Sequence, residues 1–177
     1  MDFGCGSGAW LVTWKQLGVH DVIGMDGAYI TRGTLLLDSG EFRAVDLTNY
    51  IAPHRQFDLV QCLEVAEHLS SDAAPTLVAT LTAHGPVVLF SAAPPGQGGE
   101  NHINEQTYDY WRERFREHGY VMLDFIRPRL NTIRQVEPWY RYNIFLFVQS
   151  DMLPALAPEL RASRVPDNQP VPDISPL

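Results

Sequence analysis

The stretch Asp2-Phe3-Gly4-Cys5-Gly6-Ser7-Gly8 constrains the fold more than any other part of the chain. Glycine at every second position lets a backbone turn tightly at a strand end and approach a ligand, because glycine has no Cβ and tolerates positive φ. Residues 9–17 (AWLVTWKQL) then read as a helix closed by Gly18, and residues 20–26 (HDVIGMD) as a short buried strand. The result is a strand, loop, helix, strand unit. Its spacing is G-x-G-x-G, whereas dinucleotide sites use G-x-G-x-x-G to seat a pyrophosphate on the helix N-terminus. Asp26 lies 18 residues after Gly8, where a ribose-binding carboxylate is expected. A nucleoside ligand without a diphosphate is therefore expected, and a nicotinamide-dependent oxidoreductase is disfavoured.

The alternation continues downstream. A helix is predicted over 29–37, strands over 41–47 (EFRAVDL) and 57–63 (FDLVQCL), a helix over 73–83 and a strand over 85–93 (GPVVLFSAA). Residues 107–118 form an amphipathic helix with Tyr108, Trp111 and Phe115 on one side. Two further strands, 120–128 and 143–150, are joined by a stretch without a long helical run, which predicts an antiparallel return. The chain of 177 residues, 45% of them hydrophobic, suits one domain over 1–150 with a tail. The last 27 residues carry six prolines, a composition that predicts a tail largely disordered or draped on the surface.

Charge narrows the function. The net charge is −8, with four Lys/Arg against eleven acids in residues 1–100, which argues against a nucleic-acid binder. Seven arginines against six acids in 101–150 leave room for an anionic small-molecule acceptor, with Arg127, Arg129, Arg134 and Arg141 in segments able to line a site mouth. The competing reading is a solvated helix face paired with Glu113 and Glu117. Two cysteines, no signal peptide and no long apolar run point to a reduced cytoplasmic protein that does not span a membrane.

At this level the chain resembles a family. "DFGCGSG", "GMDG", "AVDL" and "FDLVQCLEVAEHL" look like the successive motifs of class I S-adenosylmethionine-dependent methyltransferases over residues 1–150. The resemblance implies an α/β, Rossmann-like, seven-stranded, mostly parallel sheet with an antiparallel last strand. It also implies cofactor-binding residues. Asp2, Gly4, Cys5 and Gly6 border the methionine part, Asp26 with Gly27 meets the ribose, Asp46 with Leu47 meets the adenine, and Leu63 with Glu64 closes the methionine side. Against the family pattern the first strand is short and no covering helix precedes it. That leaves a truncated or inactive cofactor-binding partner subunit as the alternative, and assembly into a homo-oligomer through the exposed N-terminal surface as an expectation.

Two further stretches carry chemistry. In "CLEVAEHL", a helical turn opened by Glu64 would bring Glu67 and His68 onto its face, a half-shell for Mg²⁺, Mn²⁺, Fe²⁺ or Zn²⁺. The E-x-x-E-H pattern is similar to the metal-binding motif of ubiquinone-biosynthesis and small-RNA O-methyltransferases, although many relatives carry such a stretch without metal, their His packing at a helix start. "PPGQGGENHINEQTYDYW" resembles a signature associated with sugar and natural-product methylation, and places His102, Asn104, Glu105 and Gln106 above the strand ends. His102 is a candidate fourth metal ligand or general base, or a loop residue at the following helix. The expected activity is methyl transfer to a hydroxyl of a small molecule, with His102, His68 and Glu67 as candidate catalytic groups.

Overall fold

The computed structural model describes residues 1–172 and 174. Seven strands form one sheet: β1 (Asp2–Phe3), β2 (Gly24–Asp26), β3 (Phe42–Ala44), β4 (Val60–Leu63), β5 (Val87–Ser91), β6 (Tyr120–Leu123) and β7 (Phe145–Gln149). Their order is β3-β2-β1-β4-β5-β7-β6. The first five are parallel, and β7 runs antiparallel to both β5 and β6. The expected mixed sheet with its antiparallel last strand is therefore present.

Six helices are α1 (Ala9–Gln16), α2 (Ala74–His84), α3 (Tyr108–Arg116), α4 (Arg127–Leu130), α5 (Pro138–Asn143) and α6 (Pro158–Ala162). Tyr108, Trp111 and Phe115 at helical spacing bury one face of α3, and Phe115 stacks on Phe147 of β7 at 3.8 Å between ring centroids. Leu77, Val78 and Leu81 of α2 join the same core with Val60, Cys62, Val88 and Phe90. Leu11 of α1 packs separately with Cys5, Val22 and Leu37.

One expectation fails. Residues 29–37 form turns rather than a helix. Thr31, Gly33 and Thr34 are weak helix formers, and Leu36 N–H bonds instead to the Ser7 carbonyl of the glycine loop at 2.9 Å. Residues 151–172 of the stretch expected to be disordered or draped on the surface lie along a defined path against the domain, and residues 173 and 175–177 fall outside the described residues. Val165 N–H donates to the Met122 carbonyl and Asp124 N–H to the Ser163 carbonyl, at 2.9 and 2.8 Å. Arg112 donates to the carbonyls of Pro166 and Gln169, Arg127 to that of Pro172, and Val165 and Val171 are buried. Arginine donors hold this segment down.

The strand order reverses direction between β1 and β4, and loops at that point open a crevice beyond the strands' carboxyl ends. The glycine loop and Glu64 both emerge there.

Candidate functional site

Gly4, Gly6 and Gly8 all take positive φ, 76°, 53° and 86°. A Cβ on Gly4 would fall 2.3 Å from Val65 Cγ2, and one on Gly8 2.5 Å from Leu37 Cγ, whereas Gly6 faces open space. The loop is thus folded by its outer glycines and opened by its middle one. Buried Asp26, at the end of β2, accepts from Gly6 N–H at 2.7 Å and Gly27 N–H at 2.6 Å, and also from the Tyr29 hydroxyl. A cavity of about 490 Å³ opens beside it, walled by Asp26, Gly27, Tyr29, Val45, Asp46 and Leu47, with Leu69 at its edge. Apolar walls carrying two carboxylates suit a flat ring joined to a hydroxylated one. Asp46 accepts from Thr48 and Asn49, and the bonds from the Thr48 hydroxyl and N–H hold its carboxyl below the ordinary range. Asp2 is buried in the sheet, and burial pushes its carboxyl up to about 7. Cys5 is buried likewise, its thiol pushed up to about 12, so it is not a reactive thiolate. A second cavity of about 280 Å³, between Trp14, Val22, Phe57 and Gln61, lies at the opposite ends of the strands and takes in none of the expected site residues.

The second group follows β4. Leu63 is buried, and Glu64 has φ 53°, so the helical turn begins at Ala66 rather than at Glu64. The Glu64 carboxylate accepts from Asn143 Nδ2 at 3.2 Å and Gln97 Nε2 at 3.4 Å. The Glu67 carbonyl accepts from Ile103 and Asn104 N–H at 2.9 and 3.1 Å, which ties the loop after β5 down onto the turn. His102 is thereby carried to His68, with ring centroids 4.9 Å apart and planes at 83°. Ligand atoms of Glu67, His68 and His102 lie within 4.8 Å of one another. Glu67 is fully buried; Oε1 accepts from Ala93 N–H at 3.3 Å and Oε2 has no hydrogen-bond partner. Burial first, then the charge of Glu64, pushes its carboxyl well above the usual range.

Three of the four residues expected to share a cation thus form the compact set, and Glu64 lies beside Glu67 at its edge. Sequence reasoning missed Asn143 and Gln97, which hold Glu64 from 79 and 33 residues away. It also missed Tyr29, whose only signal is an aromatic three residues after Asp26. The arginines are largely engaged: Arg112 with Asp109, Arg114 with Glu117, Arg116 with Glu113, and Arg127 with Asp124.

A family model described as a methyltransferase domain matches residues 1–125. Among solved structures, magnesium protoporphyrin IX methyltransferase from Synechocystis PCC 6803 with bound SAH is similar at 19% identity and TM-score 0.61, covering 84% of this chain and 73% of that one. The sugar N-methyltransferase KedS8 from Streptoalloteichus sp ATCC 53650 is similar at 14% identity and TM-score 0.60, over 84% and 78%. LepI in complex with SAM is similar at 14% identity and TM-score 0.58, over 84% of this chain but only 42% of LepI. At such identities the likeness is one of fold. No curated protein matches the sequence.

Proposed function

Because the chain belongs to the methyltransferase domain family, we propose that it transfers the methyl group of S-adenosylmethionine to a hydroxyl of a small molecule, with Glu67, His68 and His102 acting on the acceptor. The observation that carries this reading is the placing of one turn. Val65 packs against Gly4, Leu69 edges the cavity beside Asp26, and the turn bearing Glu67 and His68 lies between them. The acceptor cluster thus adjoins the cofactor end of the crevice.

The residues present fit the cofactor. Asp26 would take the ribose hydroxyls in place of the Tyr29 hydroxyl, Asp46 and Leu47 would meet the adenine, and Asp2, Gly4, Cys5, Gly6, Gly27, Leu63 and Glu64 would border the rest. The cofactor supplies a methyl already activated on a sulfonium. Holding the acceptor in line with it contributes up to ~7–11 kcal/mol. The methyl would pass from the sulfonium to the acceptor oxygen, and His102 or His68 would take the hydroxyl proton. A positioned base of this kind contributes on the order of 10²–10⁴ in rate. A divalent cation also fits, since the second Glu67 oxygen is buried without a partner beside two imidazoles. Glu67, His68 and His102 would hold it, and it would lower the pKa of the acceptor hydroxyl.

The test combines S-adenosylhomocysteine titration with transfer of labelled methyl from S-adenosylmethionine to sugars, phenols and amines, in chelator and after Mn²⁺ is restored. His102→Ala should bind the cofactor normally and lose on the order of 10²–10⁴ in hydroxyl methylation. Methylation undiminished in His102→Ala would remove the acceptor role. No binding of either nucleoside would remove the activity itself. Full turnover in chelator would remove the cation.

A further inference from the structure

The loop after β5 contains a carboxylate surrounded by donors. Glu105 Oε2 accepts from Gly96 N–H at 2.8 Å and Oε1 from Gly98 N–H at 2.8 Å, and His102 Nδ1 lies 3.1 Å from Oε1. Gly96 and Gly98 reach this arrangement at φ 90° and 70°, a region glycine enters without the penalty a side chain incurs. The next glycine completes the seat. A Cβ on Gly99 would lie 2.4 Å from His102 Nε2, so the imidazole rests directly on its backbone. The edge-on contact with His68 closes another side, and the His102 side chain is left 12% exposed.

We propose that Glu105 is a positioning residue that fixes the proton of neutral His102 on Nδ1, so that Nε2 presents its lone pair to the cluster with Glu67 and His68. An ionised carboxylate can only accept hydrogen bonds. Both Glu105 oxygens already take a backbone N–H, from Gly96 and from Gly98, so the group is set up as an acceptor on each side. The nitrogen facing it must then be the donor, and the hydrogen bond at one ring nitrogen decides what the other does. A lone pair at Nε2 is what both roles of His102 require, proton acceptor from a hydroxyl or ligand to a cation. The same contact orients the ring, since Ile103 and Asn104, next in the chain, are pinned to the Glu67 carbonyl. The inference concerns one hydrogen position and rests on the proposed function only for its consequence.

The experiment reads the tautomer directly. Two-bond ¹H–¹⁵N correlation spectra of the uniformly ¹⁵N-labelled full chain, recorded in chelator and assigned with His102→Gln, should show a protonated Nδ1 and an unprotonated Nε2 at His102. Glu105→Ala should lose that pattern. Glu105→Gln, whose single carbonyl oxygen cannot satisfy both glycines and the imidazole, should weaken it while preserving side-chain volume. In parallel, Glu105→Gln should lower kcat for methyl transfer roughly 10–100-fold and leave S-adenosylhomocysteine affinity within about twofold. An Nε2-protonated His102 in the wild type, or an unchanged pattern in Glu105→Ala, would overturn the proposal. Failure of the chain to bind either nucleoside would overturn the proposed function and leave the tautomer result standing.

Discussion

Replacing Gly8 and Gly6 one at a time with alanine separates what the glycine loop does for folding from what it does for binding. Both residues sit at positive φ, where alanine costs ~1–2 kcal/mol. At Gly8 the new methyl also runs into the branch point of Leu37, a buried side chain packed with Cys5, Leu11 and Val22. Such overpacking costs a further ~1–3 kcal/mol, for a total of roughly 2–5 kcal/mol. A chain of this size loses ~2–4 °C of Tm per kcal/mol, so Gly8→Ala should melt about 4–20 °C below the parent. At Gly6 no atom lies within 4 Å of the added methyl. The strain alone predicts a loss of about 2–8 °C there. The open space is where the cofactor must approach, and a methyl in that path should weaken S-adenosylhomocysteine roughly 5–150-fold. Thermal melts with calorimetric titration at a temperature where both variants are folded give the four numbers needed. A Gly6→Ala protein that binds S-adenosylhomocysteine as tightly as the parent would refute the reasoning, because the ligand would then lie away from the loop.

Other perturbations follow from the same geometry. Asp26→Asn puts an amide N–H against one of the two backbone donors and should cost ~1.5–3 kcal/mol of cofactor binding for each charge-assisted bond lost, read by titration. Glu67→Gln should abolish methyl transfer yet alter stability with a definite sign. Because the folded-state carboxyl titrates above its unfolded value of 4.5, its contribution is complete below pH 4.5 and is lost as pH rises through the folded value. Denaturant melts from pH 4 to 9 should therefore show the parent losing stability relative to Glu67→Gln as pH rises; parallel curves would contradict the burial argument. Arg127→Ala leaves Asp124 without its fully buried partner and removes donors to Tyr142 and Pro172. A loss of ~3–5 kcal/mol is expected, with faster hydrogen exchange over residues 163–172.

The parts of the site legible in the sequence are those whose chemistry is written at short spacing. The three glycines, Asp26 at the next strand end, and the Glu67-His68 pair each announce themselves within a few residues, because a turn or a strand end fixes their geometry locally. At Glu64 the expected helical spacing meets a residue of positive φ, so the turn starts two residues later while its carboxylate still lies beside that of Glu67. His102 and Glu105 were legible as neighbours, but their pairing was not, since the other donors to Glu105 are the N–H groups of Gly96 and Gly98, with no sequence signature beyond glycine. Asn143 reaches Glu64 only through the antiparallel return of the last strand. The 29–37 stretch yielded its helix to a single long-range bond with Ser7. For the segment after residue 150, composition left disorder and draping both open, because its anchors, Arg112 and Arg127, lie outside it.

That last segment also affects how the molecule meets other molecules. β6 ends the strand order on one side, and an outer strand with free N–H and carbonyl groups is a template for pairing with another chain. Here Val165 and Ser163 bond to Met122 and Asp124, and Arg164 bridges Leu123 in antiparallel fashion, so the chain's own C-terminal segment occupies the position an intruding strand would take. On the opposite side β3 is only three residues long, too short to offer much of a ladder. The sheet is shielded from runaway growth at both margins, by a self-supplied cover at one and by brevity at the other.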